Sequence, residues 1–395
     1  MNNLISQEFF NNLISIRRKL HMYPELDTEL PMTCDLIETI LKKNNISYTR
    51  IDNFGVIAEI GNGDETIAFR ADIDALPLND FKSVNYASKI PHRIHACGHD
   101  VHTTIILGIA IILQSLNLPY KFRFIFQGAE ETDGGAPCMI ELGAIKDTKY
   151  ILGIHTDISL DTNTIGMKQG TVTASSNPFT IEINGKGAHG AHPNTGVDSI
   201  IIASKTIDVF QTLITREIPA TKNAVISIGQ INGGETYNAI ASKTTMKGIL
   251  RTTDNTIKIY LKDRMSKILN EIAELYRGNA TIAFKEGYPS FKNNNTLFDS
   301  FKECFTDDEY INLKEITVPS MGVDDFAYYA NEIPGLYIKI GCRNESKGII
   351  ASAHSNYFDV DEECIRSGIY ALLKFVEFND KIANIGLPLE GKVAP

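Results

Sequence analysis

Residues 95 to 103 read HACGHDVHT, and His92 stands three positions earlier, so four of the chain's nine histidines fall within eleven residues, beside a cysteine and an aspartate. Mixed nitrogen, sulfur and carboxylate donors suit zinc, manganese or cobalt, whereas calcium and magnesium prefer oxygen alone. Cys97 and His99 stand at i and i+2, a spacing that lets both reach one ion from an extended loop. Four more stretches follow expected strands or lie near the C-terminus and bring further donors: RADIDALP with Asp72 and Asp74, FQGAEE with Glu130 and Glu131, GIHTD with His155, and ASAHSNYFD with His354. Singly, each has an ordinary explanation: a lone histidine is usually structural, a lone cysteine a buried thiol, and paired glutamates a solvated turn. Their joint occurrence at strand exits, where α/β folds place their sites, points to a metal centre. His92, His95 and His102 stay open between groups that support the ligands and surface residues, and His21 reads as a surface residue.

Such donors need a scaffold. SQEFFNNLISIRRKLH at 6–21 repeats apolar residues at helical spacing, while TIAFRADI (66–73), KFRFIFQ (121–127) and KYILGI (149–154) read as strands. The apolar run IILGIAIIL at 105–113 lies in a stretch of helix length and reads as a buried helix. These elements predict an α/β domain with a helix-covered sheet. Around residue 178 the texture changes to strand, helix, two strands, helix and strand, ending with NATIAFKEG, the order of a split βαβ, ferredoxin-like α+β domain. The expected division is therefore 1–177, an insertion at 178–287, and 288–395. KNNN at 292–295 reads as a loop.

Composition removes several function classes. At 395 residues the chain has room for two domains. Its 38 basic and 48 acidic residues give a net charge of −10, which offers phosphate backbones no general attraction, so nucleic acid is not an expected partner. Six scattered cysteines without a CxxC pair point to a reducing, cytoplasmic setting. MNNLISQEFFNN lacks the features of a signal peptide, and the longest apolar run is far shorter than the roughly 18 residues of a membrane span.

HACGHD with a downstream AEE, together with RADIDALP, GIHTD, GKGAHGAHPNTGVDSI, GGETYNAIAS, PSMGVDDFAYYA and AHSNYFDVDEECI, resembles the aminoacylase-like metalloamidohydrolases. The nearest branch is that of hippurate hydrolase, N-acetyl-diaminopimelate deacetylase and the indoleacetyl-amino-acid hydrolases. The resemblance implies a catalytic α/β domain with a mixed sheet, interrupted by a smaller lid domain through which two chains form a homodimer. It also implies a two-metal centre, zinc or manganese first and cobalt or nickel as alternatives, held by Cys97, His99, Glu131, His155 and His354. Glu130 matches the general base, His189 the lid histidine that reaches the partner's site, and Asn238 a substrate contact; Arg251 is a candidate for the substrate carboxylate. The implied reaction is hydrolysis of the amide bond of a small N-acyl amino acid by a metal-activated water. Alternatives are a silent sensor of an amino-acid conjugate, a metallo-carboxypeptidase acting on short peptides, and thiol chemistry at Cys97. The sequence departs from the family pattern at Gly128, at Thr156 and Asp157, and at Val323 to Asp325, positions that bear on substrate choice.

Overall fold

The computed structural model describes residues 5–116, 118 and 120–380. The first four residues of the N-terminal stretch and the last fifteen of the expected third segment lie outside the described residues. The chain divides into two compact units, one formed by Met1–Gly170, Lys292–Val318 and Asp325–Pro395, the other by Thr171–Phe291 and Pro319–Asp324.

The first unit is built on an eight-stranded mixed sheet. Strands β1 (Ser47–Ile51), β2 (Gly55–Ile60), β3 (Thr66–Asp72), β4 (Lys121–Gln127), β5 (Thr148–Asp161) and β6 (Thr164–Met167) are joined by Asn312–Glu315 and Gly335–Arg343. Their spatial order is β1, β2, β4, β3, β5, Gly335–Arg343, β6, Asn312–Glu315. The four central strands, β4 to Gly335–Arg343, run parallel. The chain leaves β3 for β4 on one side and returns to β5 on the other, so the crevice beyond the end of β3 is a topological switch point. All seven residues of β3 are buried, as expected for a central parallel strand covered on both faces.

Helices pack the sheet. In α1 (Gln7–Met22), capped by Ser6, the buried face comprises Phe10, Leu13, Arg17, Leu20 and His21, so two ionisable groups share an inward stripe with three apolar ones. The helix α2 (Pro31–Lys43) covers β1 and β2. In α3 (His99–Gln114), fourteen of sixteen residues are buried, and it packs on α1 and on the helix Glu363–Asn379. Gly108 permits that approach, because a Cβ there would lie 2.6 Å from Ile369 Cδ1.

The second unit has a four-stranded antiparallel sheet in the order Ala224–Gly233, Lys243–Thr252, Ser175–Asn184, Asn279–Phe284. Helices Ser199–Thr212 and Asn255–Leu275 are each N-capped by an aspartate, Asp198 and Asp254. With that sheet they bury a separate core around Phe179, Ile181, Phe210, Met246, Leu261 and Met265.

Three expectations are corrected. His155 does not sit at a strand exit: β5 continues to Asp161, because Gly335–Arg343 goes on pairing with it. The KNNN stretch is a loop only at Asn293 and Asn294, between a strand ending at Lys292 and the helix Asn295–Cys304: Asn293 is buried against the backbone of Lys168 and Tyr337, and Asn294 caps that helix. His21 is not a surface residue: its side chain has no exposure and meets Asp100 and Asp80. Among the described residues no helix is long and apolar enough to cross a membrane.

Candidate metal centre

Strand register aligns the donors. Asp72 pairs with Gln127 at the ends of β3 and β4, and Arg70 pairs with Gly153, which sets Asp72 level with His155 two residues further on. Between Cys97 and His99, Gly98 adopts φ +89°, and a Cβ there would lie 2.2 Å from Thr156 Oγ1, so only glycine lets the helix start this close to β5. His99 is consequently the first residue of α3 and not part of an extended loop.

Among the described residues five groups of donor atoms form, the atoms of each within 4.8 Å of one another, and two of them share one thiol: Cys97, His99 and His155 in one, Cys97, Glu131 and His354 in the other. Cys97 Sγ lies 3.3 Å from His155 Nε2. His354 Nε2 lies 3.5 Å from Glu131 Oε1, and His99 Nε2 lies 3.8 Å from that oxygen. The Glu130 carboxylate stands beside the groups, with Oε2 3.9 Å from His99 Nε2.

The surroundings orient these donors. His155 Nδ1 donates to the Thr156 carbonyl at 2.6 Å, which leaves the Nε2 lone pair facing Cys97. The Thr156 amide donates to His102 Nε2 at 2.8 Å, so His102 carries its proton on Nδ1 and gives that hydrogen bond to Asp72 at 2.5 Å. Asp74 accepts the backbone N–H groups of Glu130 and Glu131, one on each carboxylate oxygen, at 3.2 and 3.1 Å. This grip, with Ala129 at φ +62°, turns the two neighbouring glutamates to different places. Asp74 Oδ1 also lies 3.4 Å from His99 Nδ1. The amide of His354, itself at φ +62°, donates to the Ala96 carbonyl, tying the C-terminal donor to the cysteine loop.

Titration follows from these contacts. Burial pushes the Cys97 thiol up to about 12, with the Glu131 charge adding to it. Burial holds His155 well below the ordinary imidazole value, helped by Lys339. His99 goes the other way, since the Asp72 charge and contacts with Asp74 and Cys97 outweigh its burial. The Glu131 carboxylate raises His354, while Glu131 is lowered because His354 and His99 outweigh desolvation. A thiol this hard to ionise is a poor free nucleophile, which argues against thiol chemistry.

Divalent cations fit this donor set. Both ring nitrogens of His99 and Glu131 Oε1 are buried and make only charge contacts, between 3.4 and 3.9 Å, with no hydrogen bond, an arrangement that is costly unless something binds them. A cation would also hold Cys97 as thiolate and use the free His155 Nε2. One sulfur shared by two donor groups is an arrangement for a pair of ions.

The structure thus brings together six of the nine site residues read from the sequence: Cys97, His99, Glu130, Glu131, His155 and His354. The other three belong to the second unit. There the short strand Ala188–His189 pairs with Ala239–Ile240, and the Gly190 amide bonds the Asn238 carbonyl, so His189 and Asn238 are neighbours. Arg251 Nη1 donates to the Met321 carbonyl at 2.8 Å. Of the residues left open, His102 supports the β5 backbone, His95 is fully buried and His92 is exposed. The tasks of Asp74 and His102 were not assigned from sequence; a carboxylate two residues past a strand end and a second histidine three residues after His99 were their only signals.

Comparison with known proteins agrees with this geometry. The profile of Peptidase family M20/M25/M40 matches residues 68–377. The N-acetyl-L-cysteine deacetylase of Bacillus subtilis is 35% identical over 367 residues, covering 91% of this chain and 86% of the relative. Thermostable carboxypeptidase 2 of Saccharolobus solfataricus is 34% identical over 379 residues, covering 93% and 96%. The crystal structure of the YxeP protein of Bacillus subtilis, described as a dinuclear metal binding peptidase from the M20 family, superposes with a TM-score of 0.82 at 32% identity, covering 95% of this chain and 99% of that one.

Proposed function

The chain belongs to peptidase family M20/M25/M40 and is a metal-dependent amidohydrolase, and on that premise we propose that it cleaves the amide bond joining a small acyl group to an amino acid. The observation that carries this reading is the pair of donor groups sharing Cys97, with the Glu130 carboxylate 3.9 Å from His99 Nε2 beside them. We infer two divalent ions, zinc or manganese, with Cys97, His99 and His155 holding one and Cys97, Glu131 and His354 the other. Bound there, such ions lower the cost of forming a nucleophile from water at neutral pH and polarise the scissile carbonyl.

The remaining work falls to the side chains. Glu130 takes the proton of the attacking water and delivers it to the leaving nitrogen, a task suited to a carboxylate placed beside the donors. The adjacent Glu131 serves as ligand, and Asp74 keeps the two roles apart by fixing both amides. Arg251 is assigned to the substrate carboxylate, where its planar guanidinium matches the anion, and Asn238 to a substrate hydrogen bond. His189 of the partner subunit is assigned to the developing negative charge on the carbonyl oxygen. That assignment requires a homodimer through the second unit, whose strand Ala224–Gly233 lies at a sheet edge and exposes Val225 and Ile231.

Metal-stripped protein, with and without Mn²⁺, Zn²⁺ or Co²⁺, is assayed on N-acetyl, N-benzoyl and indoleacetyl amino acids, N-acetyl-diaminopimelate and short peptides. Metal-dependent turnover that falls by about 10²–10⁴-fold in Glu130→Gln is expected, and the preferred acyl group names the substrate class. Ion binding without turnover on any amide would favour a sensor. For the dimer, mixing His189→Ala with Glu130→Ala restores activity when His189 acts across subunits; no recovery after verified subunit exchange would remove that assignment.

A further inference from the structure

Helix α1 carries no metal donor, yet Arg17 and His21, one turn apart on it, are fully buried. Arg17 Nε lies 2.9 Å from Asp100 Oδ2, and its Nη2 donates to Asp359 Oδ1 at 3.1 Å. A third carboxylate, Glu362, lies 3.5 Å from Nη1. His21 Nδ1 meets the same Asp100 oxygen at 2.7 Å, and its Nε2 lies 3.3 Å from Asp80 Oδ2. The other oxygen of Asp359 accepts from the Tyr86 hydroxyl at 2.7 Å.

Three carboxylates of this cluster, Asp80, Asp100 and Asp359, sit on different segments. Asp80 lies six residues past Asp74 in the loop that follows β3, Asp100 directly follows His99, and Asp359 lies five residues past His354. We propose that Arg17 and His21 form a positioning clamp that sets the distance between the His99 and His354 segments, and thereby the affinity for the second of two metal ions. The inference rests on the two-ion reading above. Four charged or chargeable groups buried together cost more than apolar side chains of the same volume would, so stability alone does not account for them. A guanidinium holds its acceptors in fixed directions. Arg17 holds Asp359 by a hydrogen bond and Asp100 by an ion pair, so one group links two backbones where a metal site needs an accuracy of about half an ångström. The turn bearing His354 needs that support, because the His354 side chain is about half exposed (54%) and its backbone is left-handed.

The test is a calorimetric titration of metal-stripped protein with Mn²⁺, with thermal unfolding of each metal-free variant measured alongside. Wild type binds two ions. Asp359→Ala keeps the affinity for the first ion and weakens the second by about tenfold or more, while Asp359→Asn, which retains an acceptor for Arg17, recovers most of the loss. Arg17→Met reproduces the Asp359→Ala pattern, and the partly exposed Asp359 keeps the test open if Arg17→Met does not fold. Two ions bound by Asp359→Ala at wild-type affinity would overturn the clamp. Equal weakening of both ions in step with a lower melting temperature would also overturn it, by showing a merely structural role. A wild type that binds fewer than two ions removes the two-ion reading and the clamp with it.

Discussion

Between Ser175 and Phe284 the second unit buries only neutral polar side chains, Ser175, Asn177, Ser199, Thr206, Thr244 and Thr252, whereas the first unit buries Arg17, Arg70, Asp72, Asp100 and four histidines. Neutral groups are inexpensive to bury once hydrogen-bonded, and each of these threonines and serines can bond within a turn or across a strand. Buried charges cost several kcal/mol each before their partners repay it, and an apolar substitute is often as stable. This stretch of the second unit is thus built for packing and carries His189 and Asn238 on its surface. The first unit accepts the expense of buried charge where donor loops must be held still.

Breaking that contrast gives a graded series. Arg17→Met strands Asp100 without its cation, so the urea midpoint should fall by the equivalent of about 3–5 kcal/mol; an unchanged midpoint would mean the ion pairs contribute no net stability. His102→Asn removes the ring that joins Asp72 to the Thr156 amide. Metal affinity should drop about 10–100-fold, with the fold retained by circular dichroism, and unchanged affinity would make His102 a spectator.

The third prediction concerns pH. Burial holds His95 down to about 3, and neither ring nitrogen has a hydrogen-bond partner. The unfolded chain takes up a proton here below about pH 6.5, which the folded chain refuses until about 3. Stability therefore declines as pH falls through that window, by up to about 1.4 kcal/mol per unit from this group. Asp100, held well below the usual carboxylate range because Arg17 outweighs its burial, adds its loss only below about pH 4. Urea unfolding of metal-stripped protein at pH 7, 6 and 5 should show a shallower decline in His95→Phe than in wild type; parallel curves would contradict the assignment. The smallest effect is expected in the second unit. Thr244→Val removes a 2.8 Å hydrogen bond to Ser199, which still reaches the Ala241 carbonyl, so the cost should be about 1 kcal/mol.

How much was legible beforehand follows the same division. Strands 66–72 and 121–127 are short and rich in apolar and aromatic residues, and the order of elements in the second unit could be read from the change of periodicity. The donors stood out by occurring together after strand-like runs, although His155 lies within β5. Contacts distant in sequence were not legible. His21 was read as exposed because a helical pattern treats histidine as polar, and its partner Asp100 lies 79 residues away. The length of β5 depends on a strand near residue 340, and no local pattern at His155 announces it. The grip of Asp74 on Glu130 and Glu131 likewise exists only once β3 and β4 lie side by side.

The central claim is that one thiol serves two ions and that amide hydrolysis depends on them. Its most direct test is to count Mn²⁺ or Zn²⁺ per chain by elemental analysis of stripped and reloaded protein, for wild type and Cys97→Ala, while following hydrolysis of an N-acetyl amino acid. The account predicts two ions per wild-type chain, activity that rises with occupancy, and loss of both ions and of activity in Cys97→Ala. Full activity in the metal-free protein, or two ions retained without Cys97, would contradict it.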